Sequence, residues 1–269
     1  IFAAVCASLF PLAARLRRSS SRRRARLQCA QKRRCGCRTN GRERPPHRCH
    51  LVVVWDGTFA LERIDEQAKR IVPSDPGKHA ERCRDDALDL LDALSLDNVH
   101  IVGHCIGGWI AMEMAIRNGE RMNSLALVAS AGLRVKDMPR ADMFVCSEDD
   151  LLKLLFAGTG GKEWLQAWRA TPDLEDIYDR NRAAAAKYSW SPRLCNPKLD
   201  RWLHRIDVPT HIVWGADDRV IPPAYAAALK ELIVGATVAT LPGCAHLPHI
   251  EQPQAFANEI AQFIRRAAL

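Results

Sequence analysis

Three residues, spread over 142 positions, carry the side chains that nucleophilic catalysis needs. Cys105 stands in Gly103-His-Cys-Ile-Gly107, with Gly108 following; an acid, Asp217 or Asp218, stands in Gly215-Ala-Asp-Asp-Arg219; and His246 stands in Gly243-Cys-Ala-His-Leu-Pro248. A thiol attacks as the thiolate, so it requires a base within hydrogen-bond reach and a third group that orients the base. Gly-x-Cys-x-Gly suits a turn too sharp for Cβ atoms beside the reactive side chain. Placed before a helix, that turn would expose Cys105 to the positive end of the dipole, which favours the thiolate. On its own the motif is equally compatible with a small buried cysteine. The acid and histidine further along the chain tip the balance toward chemistry.

Such residues can meet only if the elements before them deliver their loops to one place. Val99 to Val102 is apolar and β-branched, a short buried strand, and Trp109 to Arg117 has helical composition with apolar residues on most faces. Strand, tight turn and helix form a nucleophile elbow. Residues 122–130 read as the next strand, so strand, helix and strand make a parallel βαβ unit. Residues 209–214 and 236–241 are further strands, with a helix over 224–232 and a closing amphipathic helix over 255–267. Upstream, residues 51–55 are a buried strand, 56–58 a turn, 59–70 a charged helix-like stretch, 70–77 a short strand ending in a loop, and 85–96 a helix. Between residues 134 and 205 the alternation is lost. Helical segments at 148–156, 163–169 and 174–188, separated by Gly158-Thr-Gly-Gly161 and Pro172, read as a cap inserted over the sheet. In a doubly wound sheet, loops at the C-terminal strand edge carry the site. Cys105, the acid and His246 each follow a strand in that way.

The order nucleophile, acid, histidine is that of α/β-hydrolases. Gly215-x-x-Asp218-x-Val-Ile-Pro222 and Gly243-x-x-His246-x-Pro-x-x-Glu251-x-Pro253 resemble the acid and histidine loops of that superfamily. The likeness is to its capped members, such as carboxylesterases and hydrolases of carbon–carbon bonds in aromatic ring-cleavage products. It covers residue 85 to the end and, more weakly, 51–84. It implies an α/β-hydrolase fold: a mostly parallel central sheet, helices on both faces and a small helical cap. It also implies a Cys105–His246–Asp218 triad acting through an acyl-enzyme on esters, lactones or thioesters, with no cofactor and no metal. By position Asp218, rather than Asp217, matches the acid; His104 and His249 read as structural. Ile106 would supply one oxyanion N–H, and Gly57 or Thr58 the other. Three departures stand out, one being that the glycine-rich loop usual after Asp-x-Pro-Gly is altered, Pro73-Ser-Asp-Pro-Gly77 running into Lys78-His-Ala-Glu81. The usual nucleophile is Ser, and a Cys elbow is similar to that of dienelactone hydrolases and polyester synthases, which keeps an acyltransferase reading open. The usual His-Gly after the first strand is replaced by Trp55-Asp56-Gly57-Thr58, and a negative Asp56 near a developing oxyanion opposes catalysis. A catalytically impaired relative is therefore the third reading.

Composition sets the outer bounds. The chain has 269 residues, 48% of them hydrophobic, enough for one α/β core with an insertion. It lacks an apolar run long enough to span a bilayer, so no membrane partner is expected. The formal net charge of +8 belongs to a tail: residues 1–50 hold fourteen Lys and Arg against one acid, Glu43, which leaves −5 for the rest. Residues 1–50 read as a disordered or non-native basic extension. Competing readings are a signal-peptide remnant, a phosphate-binding arm using Arg22-Arg-Arg24 and Lys32-Arg-Arg34, and a metal site from Cys35, Cys37, His47, Cys49 and His50. The domain organisation is then 1–50 extension, 51–133 and 206–269 core, and 134–205 cap. No nucleic acid is expected to bind the core, whose partner is a small acyl substrate. The scattered cysteines and a free catalytic thiol suit a reducing, cytoplasmic setting.

Overall fold

The computed structural model describes residues 50–55, 58–61, 80–143, 145–169 and 194–268. Among the described residues six strands form one sheet, in the order β2-β1-β3-β4-β5-β6. They are β1 (His50–Trp55), β2 (Thr58–Leu61), β3 (Val99–His104), β4 (Met122–Val128), β5 (Thr210–Gly215) and β6 (Thr237–Leu241). Every neighbouring pair is parallel except β1 and β2, an antiparallel hairpin at one edge.

Parallel strands must be covered on both faces, and alternate side chains of the central strands go to two separate cores. Ile101, Leu125, Leu127, Ile212 and Trp214 pack with helices α1 (Ala80–Ala93), α2 (Ile106–Asn118) and α5 (Ala224–Leu232). Val102, Ala126, Val128 and Val213 pack with Phe256, Ile260, Phe263 and Ile264 of the closing helix α7 (Pro253–Ala267). The amphipathic pattern of residues 255–267 thus serves one face of the sheet. The all-round apolar α2 is buried from Ile106 to Ala115. Between β4 and β5 lie α3 (Glu148–Leu155) and α4 (Gly160–Arg169); a one-turn helix, α6 (Pro248–Glu251), precedes α7.

The expected α/β layering and the parallel βαβ unit are present. Several boundaries differ from those expected. The stretch from Phe59 begins as a strand, because Phe59, Ala60 and Leu61 pair antiparallel with Val54, Val53 and Val52, which outweighs the charged, helix-like pattern that follows. Thr58 is accordingly the first residue of β2, opposite Trp55, rather than a turn residue. Helix α2 starts at Ile106 despite Gly107 and Gly108, and α4 starts at Gly160 rather than after Gly161. The extension before residue 50, the short strand expected at 70–77, the helix expected at 174–188, and Asp56 and Gly57 lie outside the described residues.

Candidate active site

The register brings the ends of five parallel strands to one edge. Trp55 lies opposite His104, and His104 opposite Val128; β5 runs parallel beside β4, and β6 beside β5. The loops after β3, β5 and β6 therefore open on the same side, where Trp55 also ends β1.

Cys105 occupies the turn between β3 and α2 at φ 49° and ψ −115° and is buried. A non-glycine residue there costs of order 1–3 kcal/mol and persists only when the surroundings over-determine it. They do. The Cys105 amide donates to the Val128 carbonyl at 3.0 Å, and its own carbonyl accepts from the amides of Gly108, Trp109 and Ala131 at 3.1, 3.2 and 3.0 Å. Gly103 permits the close return of the helix, since a Cβ there would stand 2.6 Å from the Gly107 carbonyl oxygen. Ile106 is the first residue of α2, so its N–H belongs to the helix-start donors that have no intrahelical acceptor.

Asp218 is buried after β5. Its Oδ1 accepts from the amides of Val220 and Ile221 at 2.9 and 3.0 Å, and its Oδ2 lies 2.9 Å from Nδ1 of His246. Asp217 is exposed. The acid and histidine loops are pressed together at Gly215, where a Cβ would collide with the carbonyls of Ala245 and Cys244. The Asp217 amide donates to the Cys244 carbonyl across the same seam at 2.9 Å.

His246 is buried among these groups. Burial alone would lower its pKa, but the charges and hydrogen bonds of Asp218 and Cys105 outweigh it and hold the imidazole well above its ordinary value. Nε2, the ring nitrogen not engaged by Asp218, is fully enclosed within the site. The His246 carbonyl accepts from Nε2 of His104 at 2.8 Å, which requires the His104 proton on Nε2. The rings of His104 and His246 lie 4.9 Å apart, and those of His104 and His249 5.1 Å. Burial and the two neighbouring imidazoles push His249 well below the usual range, so it is neutral. Burial, reinforced by Glu251 and the two aspartates, pushes the Cys244 thiol up to about 12.

The structure thus gathers Cys105, Ile106, Asp218 and His246. Thr58 sits at the start of β2, and Gly57 lies outside the described residues. His104 is structural, as its sequence context suggests, but it ties the nucleophile strand to the histidine loop. That tie spans 142 positions and leaves no local sequence signal. Among the described residues no group of three or more His, Cys, Asp or Glu side chains could hold a metal ion, and no helix is long and apolar enough to cross a membrane.

A parallel sheet with a strained turn before its central helix, followed by an acid and a histidine loop, defines the class. The model of the Alpha/beta hydrolase family matches residues 36–259, and the chain belongs to that family. Among known proteins it is similar to the 2-hydroxy-6-oxo-6-(2'-aminophenyl)hexa-2,4-dienoic acid hydrolase of Metapseudomonas resinovorans, 28% identical over 67% of this chain and 64% of that protein. It is similar also to the 2-hydroxymuconate semialdehyde hydrolase of Pseudomonas sp. (strain CF600), 25% identical over 72% of each. The match therefore spans less than two thirds of the first relative's length. Among solved structures, the meta-cleavage product hydrolase of Pseudomonas fluorescens IP01 shares the fold, with a TM-score of 0.59 and 22% identity over 72% of this chain and 75% of that one. A serine hydrolase involved in carbazole degradation matches with a TM-score of 0.57 and 26% identity, over 72% of this chain and 74% of that one.

Proposed function

We propose that the chain hydrolyses carboxylic esters, lactones or thioesters through Cys105, His246 and Asp218 and a thioester acyl-enzyme. The observation that carries this reading is the position of His246, bonded through Nδ1 to a buried carboxylate at 2.9 Å, on a loop that leaves the same sheet edge as the strained Cys105 turn. His246 Nε2 takes the thiol proton, and Sγ attacks the acyl carbonyl carbon. The oxyanion is held by the Ile106 N–H and by a second donor from Gly57 or Thr58. The tetrahedral adduct collapses, expelling the alcohol or thiol, which takes the proton back from His246. His246 then deprotonates a water that attacks the thioester, and Cys105 leaves as the thiol with the acid released. The hydrolase relatives support hydrolysis over acyl transfer. The segment between β4 and β5 serves as the cap that shapes the acyl pocket.

The test is release of p-nitrophenol from short acyl p-nitrophenyl esters by the wild type, Cys105→Ala and His246→Ala. Turnover by the wild type alone supports the reading; equal turnover by Cys105→Ala refutes it. A second reading, a fold relative with weakened turnover, draws on Asp56, which follows Trp55 at the edge where Trp55 faces His104. It predicts that Asp56→Gly raises turnover, because a negative charge beside a developing oxyanion opposes catalysis.

A further inference from the structure

Glu251 lies outside the proposed triad, yet it reaches both the histidine loop and the segment that follows α3. One carboxylate oxygen accepts the Ala245 amide, adjacent to His246, at 2.6 Å. The other accepts the Ala157 amide, two residues past the end of α3, at 2.7 Å. The same segment reaches back at its other end, where the His246 amide donates to the Leu155 carbonyl at 3.2 Å. The backbone of His246 is therefore gripped on both sides, by Leu155 at its N–H and by His104 at its carbonyl, and Glu251 locks the residue before it to the α3 segment. The carboxylate itself is fixed at the C-terminal end of α6, where the Glu251 amide donates to Leu247 at 3.0 Å.

Two acceptor oxygens facing two amide donors is an arrangement only a carboxylate satisfies. An ionised carboxylate has no hydrogen to present to either N–H, whereas a carboxamide would turn its NH2 toward one of them. Charge-assisted bonds of this kind are roughly twice as strong as neutral ones. We infer that Glu251 is a positioning residue for the base: it makes the segment after α3 part of the frame that holds His246 in line with Cys105. Disturbing that segment then lowers kcat rather than substrate affinity. The inference rests on the triad reading above, and its test separates the two.

The test uses the full chain with a p-nitrophenyl ester, with active sites counted by the acyl burst so that misfolded protein drops out. In Glu251→Gln, kcat per titrated site falls roughly ten- to a hundredfold, the scale of a displacement of about 1 Å, while KM stays within about threefold. Ala157→Pro serves as the second variant, removing only the amide on the α3 side. Phe156 is extended at φ −123° and ψ 140°, a conformation that tolerates a following proline. It lowers kcat in the same direction with the Ala245 bond intact. A kcat per titrated site within about twofold of wild type in both variants overturns the inference, whatever happens to yield or melting temperature. Absence of any burst in the wild type refutes the triad instead.

Discussion

Replacing Asp218 by Asn perturbs the site with almost no change in volume, and the structure says which way the new amide must turn. Oδ1 accepts two backbone amides, from Val220 and Ile221, so the carbonyl oxygen of Asn stays there and its NH2 faces His246. Nδ1 of His246 must then become an acceptor, which moves the ring proton to Nε2, the nitrogen that has to take the thiol proton. The loss is that of a general base, about 10²- to 10⁴-fold in kcat, or roughly 3–5 kcal/mol of transition-state stabilisation. The negative charge that counters the burial of His246 is lost as well, so its pKa falls. The assay is the pH profile of kcat/KM for ester hydrolysis in wild type, Asp218→Asn and Asp217→Asn. The expected result is the stated loss in Asp218→Asn, with the His246 limb moved to lower pH, and a nearly unchanged Asp217→Asn. Activity of Asp218→Asn within about threefold of wild type, in a protein whose Cys105→Ala variant is inactive, refutes the orienting role.

Three further outcomes follow from the same geometry. Buried Glu113 accepts from Asn196 Nδ2 at 2.9 Å, Arg117 at 3.0 Å and Trp109 Nε1 at 3.4 Å. Glu113→Ala should therefore destabilise the fold by about 3 kcal/mol, read from urea unfolding, by leaving those donors unsatisfied. His249 has a folded pKa below its unfolded value, so its contribution to stability is present above about pH 6.5 and is lost as pH falls through the folded pKa. His249→Phe should accordingly flatten the decline in melting temperature between about pH 7 and pH 5 seen in wild type. With its thiol pushed up to about 12, Cys244 should resist iodoacetamide at neutral pH in the native protein and react only after denaturation, as mapped by mass spectrometry.

How much of this was legible in the sequence depended on how local each cause is. The β3–α2 elbow and the strands after it were readable because buried parallel strands show as apolar runs, as in Ile212-Val-Trp214. Helix α5 matches its expected span, Ala224–Leu232. Strand β2 is hidden because the charged residues after Leu61 carry a helical pattern that masks the short apolar pairing segment Phe59-Ala-Leu61. The choice of Asp218 over its neighbour came from motif spacing, and the structure puts Asp218 against His246 and leaves Asp217 exposed. His104 reads as structural and Glu251 belongs to the histidine-loop pattern, but the groups they hold leave no trace in the sequence. Each acts on a backbone group brought near by the fold, and a backbone acceptor or donor has no side-chain identity to leave a pattern.

The measurement that bears most directly on the central claim is intact-protein and peptide mass spectrometry after mixing with an activated ester and quenching in acid. The account predicts an acyl mass on the peptide that holds Cys105, accumulating in wild type and absent from Cys105→Ala. Ester turnover with no acyl group on Cys105, or the acyl group on another residue, would contradict it.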